Sequence, residues 1–210
     1  MNTIRQSVEV LGPEDDRVGL RLIERAARTC HGTVDRMTEY SYRQFIPKLL
    51  KMGHESPFEM MNITLGIVTD RAVMAELTRH RHVSFCVESQ RHVKRLEFIE
   101  PMKVPKEEFA AFLETVSDGY DDMLSRCIDK QYARAILPNC TATRIVMSAN
   151  VRAWRELFDQ RTTMAAYPPM RELMCLALRS IYVKFPEAFC FFFRDYMERL
   201  QRQIEGKQTI

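Results

Sequence analysis

The sequence predicts an α+β chain, mostly helical with a central, largely antiparallel sheet. Apolar residues recur at steps of three and four over most of its length, so helices dominate. Three short stretches read as strands, SVEVLGP at 7–13, Met61 to Ile67 and Thr141 to Ser148. These do not alternate regularly with helices, as a doubly wound α/β fold would require. With 46% hydrophobic and 28% charged residues in 210, the chain has an ordinary globular makeup. Seven glycines and nine prolines leave no evident linker, so one domain over 1–210 is expected.

Taken in order, the first strand closes at Gly12-Pro13, and the acids Glu14, Asp15 and Asp16 open a helix where negative charge suits the exposed N–H groups. Val18, Leu22 and Ala26, with Ile23 and Ala27, are expected on its inner face. A second helix over about 41–52 ends at Gly53. Ile63, Leu65 and Ile67 then alternate with Thr64 and Gly66 as a half-buried strand does. Asp70 caps a third helix running into the segment at 79–92. After Pro105, the residues Phe109, Phe112, Leu113, Val116 and Tyr120 form a helical apolar stripe. Leu137-Pro138 stops a short helix, because proline disfavours helical geometry in its predecessor. Asn150 suits the N-cap of a helix that buries Trp154, Leu157 and Phe158. Helices over 170–184 and 187–203 finish the chain, the latter with Phe189, Phe192, Phe193, Tyr196, Met197 and Leu200 on one stripe.

Composition narrows the function. The balance of 31 basic to 28 acidic side chains gives +3, too little for a dedicated nucleic-acid binder. No apolar run reaches the ~18 residues that would cross a bilayer, and MNTIRQSVEVLGPEDD lacks the apolar core of a secretory signal, so a cytoplasmic protein is expected. Six cysteines form no CxxC pair and no cluster with zinc spacing; reduced thiols scattered through a core are expected, and no metal site.

Charge is concentrated instead in RHRHVSFCVESQRH at 79–92, with three arginines, three of the five histidines and one acid. Arg79, Arg81, Arg91, Lys94 and Arg95 repel one another unless a carboxylate or an anionic ligand stands among them. A solvated basic face is the plain alternative. Guanidinium forks suit phosphate, and Ser84 and Ser89 add hydroxyls to such a cradle. No GxGxxG or GxxxxGKS occurs, so neither common nucleotide fingerprint explains the cluster. GHESPFEM at 53–60 places a histidine and two acids beside a turn, where a cap is the simpler reading. Arg155 is expected as surface charge paired with Glu156 or Asp159. Arg144 lies within an apolar stretch, where an unpartnered charge is costly.

The spacing RHR-x-x-S-x-x-x-x-S-x-R, met by Arg79, His80, Arg81, Ser84, Ser89 and Arg91, resembles the signature of the flavin-dependent thymidylate synthases. GHESPFE, AARTC at 26–30 and the pattern of Leu137-Pro138, Arg144, Asn150, Arg152 and Arg161 are similar to further segments of that family, in the same order, over about residues 26–172. The resemblance implies reductive methylation of dUMP to dTMP with methylene-tetrahydrofolate as carbon donor, FAD carrying the hydride and NADPH as reductant. It also implies a homotetramer with active sites built at subunit contacts. By matching position it assigns Ser56, Arg79, His80, Arg81, Val87, Asn150, Arg152 and Glu156 to FAD. Glu76, Arg79, Glu88, Ser89, Gln90, Arg91 and Arg144 fall to dUMP, with Ser89 and Arg91 at its phosphate. Arg161 matches the arginine that activates the uracil ring.

The chain departs from the family pattern at Cys86, Val87, His92, Glu156, Tyr167 and Pro169. These departures bear on flavin contacts and folate access. They define the alternative reading, a catalytically weak paralogue that binds dUMP and flavin as a sensor or sequestering protein.

Overall fold

The structure, a computed structural model, describes residues 2–101 and 104–207, with side chains described as far as Glu198. The chain runs β1 (Thr3–Ile4), β2 (Ser7–Gly12), α1 (Asp16–Cys30), α2 (Tyr42–Lys51), a 3-10 turn at Ser56–Met60, β3 (Asn62–Asp70), α3 (Arg71–Leu77), β4 (Val83–Val87) and β5 (Phe98–Ile99). It continues with α4 (Lys106–Ser125), α5 (Lys130–Ala133), a 3-10 turn at Arg134–Ile136, β6 (Ala142–Asn150), α6 (Val151–Arg161), α7 (Pro168–Lys184) and α8 (Pro186–Lys207).

Four strands form an antiparallel sheet in the order β2-β3-β6-β4, while β1 and β5 make a small parallel pair. The alternation seen in sequence sorts the two faces. Ile63, Leu65, Ile67, Ile145, Met147 and Ala149 are buried in one core with Trp154 and Phe158 of α6, Phe185 between α7 and α8, and Phe189 of α8. Trp154 donates its indole N–H to the Ile63 carbonyl at 3.0 Å, which ties α6 to the sheet. The other face carries Thr64, Gly66, Ser148, Ser84 and Cys86 and is uncovered at its centre, where Val146 is 44% exposed.

Both central caps form as the sequence predicts: Asp70 Oδ1 accepts from Val73 N–H at 2.7 Å, and Asn150 Oδ1 from Ala153 N–H at 2.8 Å. Gly53 follows α2 in the left-handed region, φ 71°, where a side chain is strained.

Several expectations are corrected. The inner face of α1 is Leu20, Ile23, Glu24 and Ala27, whereas Val18 and Leu22 are exposed. Glu24 hides this stripe in the sequence: fully buried, it accepts from Arg28 Nε at 2.7 Å and from Ser41 Oγ at 2.8 Å. Gly19 completes the packing, since a Cβ there would stand 2.6 Å from Met61 Sδ. The third helix stops at Leu77, before the basic segment, whose middle is the edge strand β4. His82 turns the chain between them at φ 58°. The apolar stripe of α4 buries Leu113 and Tyr120 but leaves Phe112 exposed. On α8, Phe189 is buried and Met197 exposed, and the side chain of Leu200 lies outside the described residues. None of the six cysteines is fully buried, and Cys30, Cys86 and Cys127 are exposed. No helix is long and apolar enough to cross a membrane among the described residues.

Candidate functional site

The turn after α3 and the outer side of α6 face each other. Between them lies a cleft of about 500 Å³ lined by Arg79, His80, Arg81, His82, Glu156 and Arg161, among others. A second cleft of about 260 Å³ shares His82, Ala153 and Glu156 with it and adds Glu59, Asn150 and Arg152. Seven of the residues assigned from sequence thus surround two adjoining hollows. The positions follow from the fold: the β6–α6 junction presents Asn150 and Arg152, and about three turns beyond the Asn150 cap Arg161 emerges at the end of α6 into the adjoining cleft.

Within the cleft, Arg161 Nε donates to His80 Nε2 at 3.0 Å, and Arg161 Nη1 lies 3.4 Å from Glu76 Oε2. Burial and the neighbouring Arg161 charge hold His80 below the usual imidazole range. Arg79 and Arg81, both exposed, have no carboxylate partner among the described residues.

A second group gathers at the other end of β4. Arg144 Nη2 meets Glu97 Oε2 at 2.7 Å, and its Nη1 lies 3.8 Å from Glu88 Oε2. Arg95 pairs with the same two acids, with Glu88 at 3.5 Å and with Glu97 at 3.9 Å. Ser89 Oγ accepts from Arg91 N–H at 3.3 Å, and the Ser89 carbonyl accepts from His92 N–H at 3.1 Å, which folds 88–93 into a turn carrying Gln90. Arg91 is exposed and lacks a carboxylate partner among the described residues. The like charges therefore divide: Arg95 and Arg144 are neutralised from within, and Arg79, Arg81 and Arg91 are left for solvent or an anion.

The two groups sit at opposite ends of β4. Val83 pairs with Ala149 and Val87 with Ile145. Four residues of strand therefore separate the groups, about 14 Å at 3.4 Å per residue. Val87 stands at the far end of that strand. Ser56 opens the 3-10 turn beside Glu59, which pairs with Arg152.

GHESPFE acts through its acids rather than as a cap. Glu55 pairs with Arg155 at 2.6 Å, and no side-chain cap bond forms at this turn. Arg155 is not surface charge, since its side chain is 12% exposed and its guanidinium lies over Phe58 and Phe192 at 5.2 Å and 5.0 Å. Glu156, the partner expected from sequence, instead accepts from Gln160.

A third hollow of about 370 Å³ holds Gln6, Asp70, Cys140, Tyr167, Pro169 and Glu172. Two of the departures from the family pattern, Tyr167 and Pro169, line it rather than the arginine clefts. Burial raises the Asp70 carboxyl and pushes the Cys140 thiol up to about 11.

Residues 16–187 match the family model described as thymidylate synthase complementing protein. The chain belongs to that family. Among curated relatives, a probable flavin-dependent thymidylate synthase of Mycobacterium phage L5 is 31% identical, with 76% of this chain and 75% of the relative covered. Flavin-dependent thymidylate synthases of Corynebacterium glutamicum (31% identical; 80% of this chain, 77% of the relative) and of a Synechocystis strain (34%; 69% and 76%) are also similar. The family match spans both arginine groups and the α6 helix that carries Arg152 and Arg161.

Sequence reasoning missed Glu97, the closest partner of Arg144, because the two lie 47 residues apart and only the tertiary fold brings them together; its only sequence signal is an acid just beyond a basic run.

Proposed function

We propose that the chain is an FAD-dependent thymidylate synthase that converts dUMP to dTMP, with methylene-tetrahydrofolate as carbon donor and NADPH as reductant. The protomer is a single domain over 1–210 of a cytoplasmic homotetramer. The observation that carries this reading is the pair of adjoining clefts walled by unpaired Arg79 and Arg81 together with Arg152 and Arg161. That donor set fits the pyrophosphate of FAD, since planar guanidinium groups bind phosphate bidentately. Arg79, Arg81 and Arg152 would hold the phosphates, with Ser56, His80, Val87, Asn150 and Glu156 contributing further contacts. When bound, the flavin supplies the hydride.

Ser89 and Arg91 hold the dUMP phosphate, and Glu76, Arg79, Glu88, Gln90 and Arg144 complete its pocket. Arg161 directs N–H groups at the uracil, where a fixed guanidinium stabilises negative charge spreading onto N3 and O4 and makes C5 the better nucleophile. No thiol attack is needed. The length of β4 between the Arg161 and Arg91 groups, about 14 Å of strand, supports a site completed by two protomers, with the uncovered sheet face available for assembly.

Purified protein loaded with FAD, given dUMP and NADPH with and without methylene-tetrahydrofolate, tests this by direct assay of dTMP. Product that requires all three substrates is expected. A protein that binds dUMP and flavin and makes no dTMP would establish the sensor alternative instead.

A further inference from the structure

We propose that His80 is a positioning residue for Arg161, its uncharged imidazole holding the guanidinium in the cleft through Nε2, with Glu76 as the second clamp. The inference rests on the assignment of Arg161 to the uracil. The bond runs from Arg161 Nε to His80 Nε2 at 3.0 Å, and Arg161 Nη1 reaches Glu76 Oε2 at 3.4 Å. Two of the five guanidinium N–H groups are thereby engaged and the plane of the fork is fixed. The remaining donors are left to the cleft.

An accepting Nε2 places the imidazole proton on Nδ1. A second proton, at Nε2, would set N–H against N–H at this distance, so charged His80 and a clamped Arg161 exclude each other. The groups around His80 set the balance. Arg161 and Glu156 face it from α6, Glu76 from α3, and Arg79, Arg81 and His82 line the same cleft. Burial and Arg161 favour the neutral ring more than the two acids favour the charged one. Acid therefore releases Arg161, and turnover falls with protonation of a residue that transfers no proton to substrate.

Two measurements test this. The first is the pH profile of kcat for His80→Ala and His80→Gln, because glutamine Oε1 accepts from Arg161 Nε at any pH. Kcat should fall about 100-fold in His80→Ala and recover to at least about a tenth of the original in His80→Gln. The acid limb assigned to His80 should vanish in the latter. Equal losses in both variants would show that His80 acts through its flavin contact or through proton transfer and not through Arg161, and would overturn the proposal. The second is NMR titration of protein labelled at histidine Cε1, which needs no turnover. His80 should show the Nδ1–H tautomer and a depressed pKa that rises toward about 6.5 in Arg161→Gln. An unchanged pKa in that variant would also overturn it. Absence of dTMP from the parent protein would sink the enzyme assignment alone, with the titration still deciding whether His80 holds Arg161.

Discussion

Replacing Arg155 with alanine separates a structural arginine from the ligand-facing ones on the same helix. Arg155 reaches from α6 to Glu55 at 2.6 Å and lies between Phe58 and Phe192, while Glu55 itself is 35% exposed. Each cation–π contact at a largely desolvated site contributes about 0.5–2 kcal/mol. The ion pair is discounted to about 1 kcal/mol because Glu55 can be rehydrated once abandoned. Lost packing of the aliphatic stem adds to this, so Arg155→Ala is expected to destabilise by about 2–4 kcal/mol. Arg155→Met, which refills the space between the rings, should cost about half as much. Urea unfolding at fixed chain concentration reads both values. A change within about 0.5 kcal/mol for the alanine variant is what an exposed arginine gives, and would refute this placement.

Arg161→Lys should keep dUMP affinity within a few-fold but lower turnover about 100-fold, because an ammonium cannot reproduce the fork held by His80 and Glu76; undiminished dTMP formation would contradict its role. Arg91→Ala should raise the dUMP dissociation constant about 10-fold or more while sparing turnover at saturation, as loss of a charge-assisted phosphate contact predicts; an unchanged constant by calorimetry would count against it. Asp70, buried and capping α3, has a carboxyl raised above its ordinary 3.8, so its contribution is whole below that value and is lost as pH rises through the folded pKa. Asp70→Asn keeps the capping oxygen and should gain stability relative to the parent as pH climbs from about 4 to about 7; a pH-independent difference in urea unfolding would contradict the burial argument.

Periodicity carried the helices and the two central strands because their buried positions are nearly all apolar. It failed where a buried position is charged. Glu24 sits in the inner stripe of α1 because Arg28 and Ser41 satisfy it, so counting apolar residues selected the face of Val18 and Leu22. The edge strand β4 was hidden by the charged residues on both sides of it, and its five residues are too few for alternation to stand out. For the site, resemblance to the family's motifs pointed to Arg79 to Arg81, Asn150, Arg152 and Arg161, which the fold gathers around two clefts. Partners distant in sequence were not legible: Glu55 for Arg155, Glu97 for Arg144 and His80 for Arg161 are set by tertiary packing alone.

Mixing Arg161→Lys and Arg91→Ala subunits, dissociating them and letting them reassemble tests most directly whether the two arginine groups meet across protomers. With dUMP below saturation, a site that takes Arg161 from one chain and Arg91 from another is intact in roughly a quarter of random combinations, so dTMP formation should recover to about that fraction of the parent activity. If the mixture stays at the level of the separate variants, both groups serve a site within a single chain, and the two-protomer site is wrong.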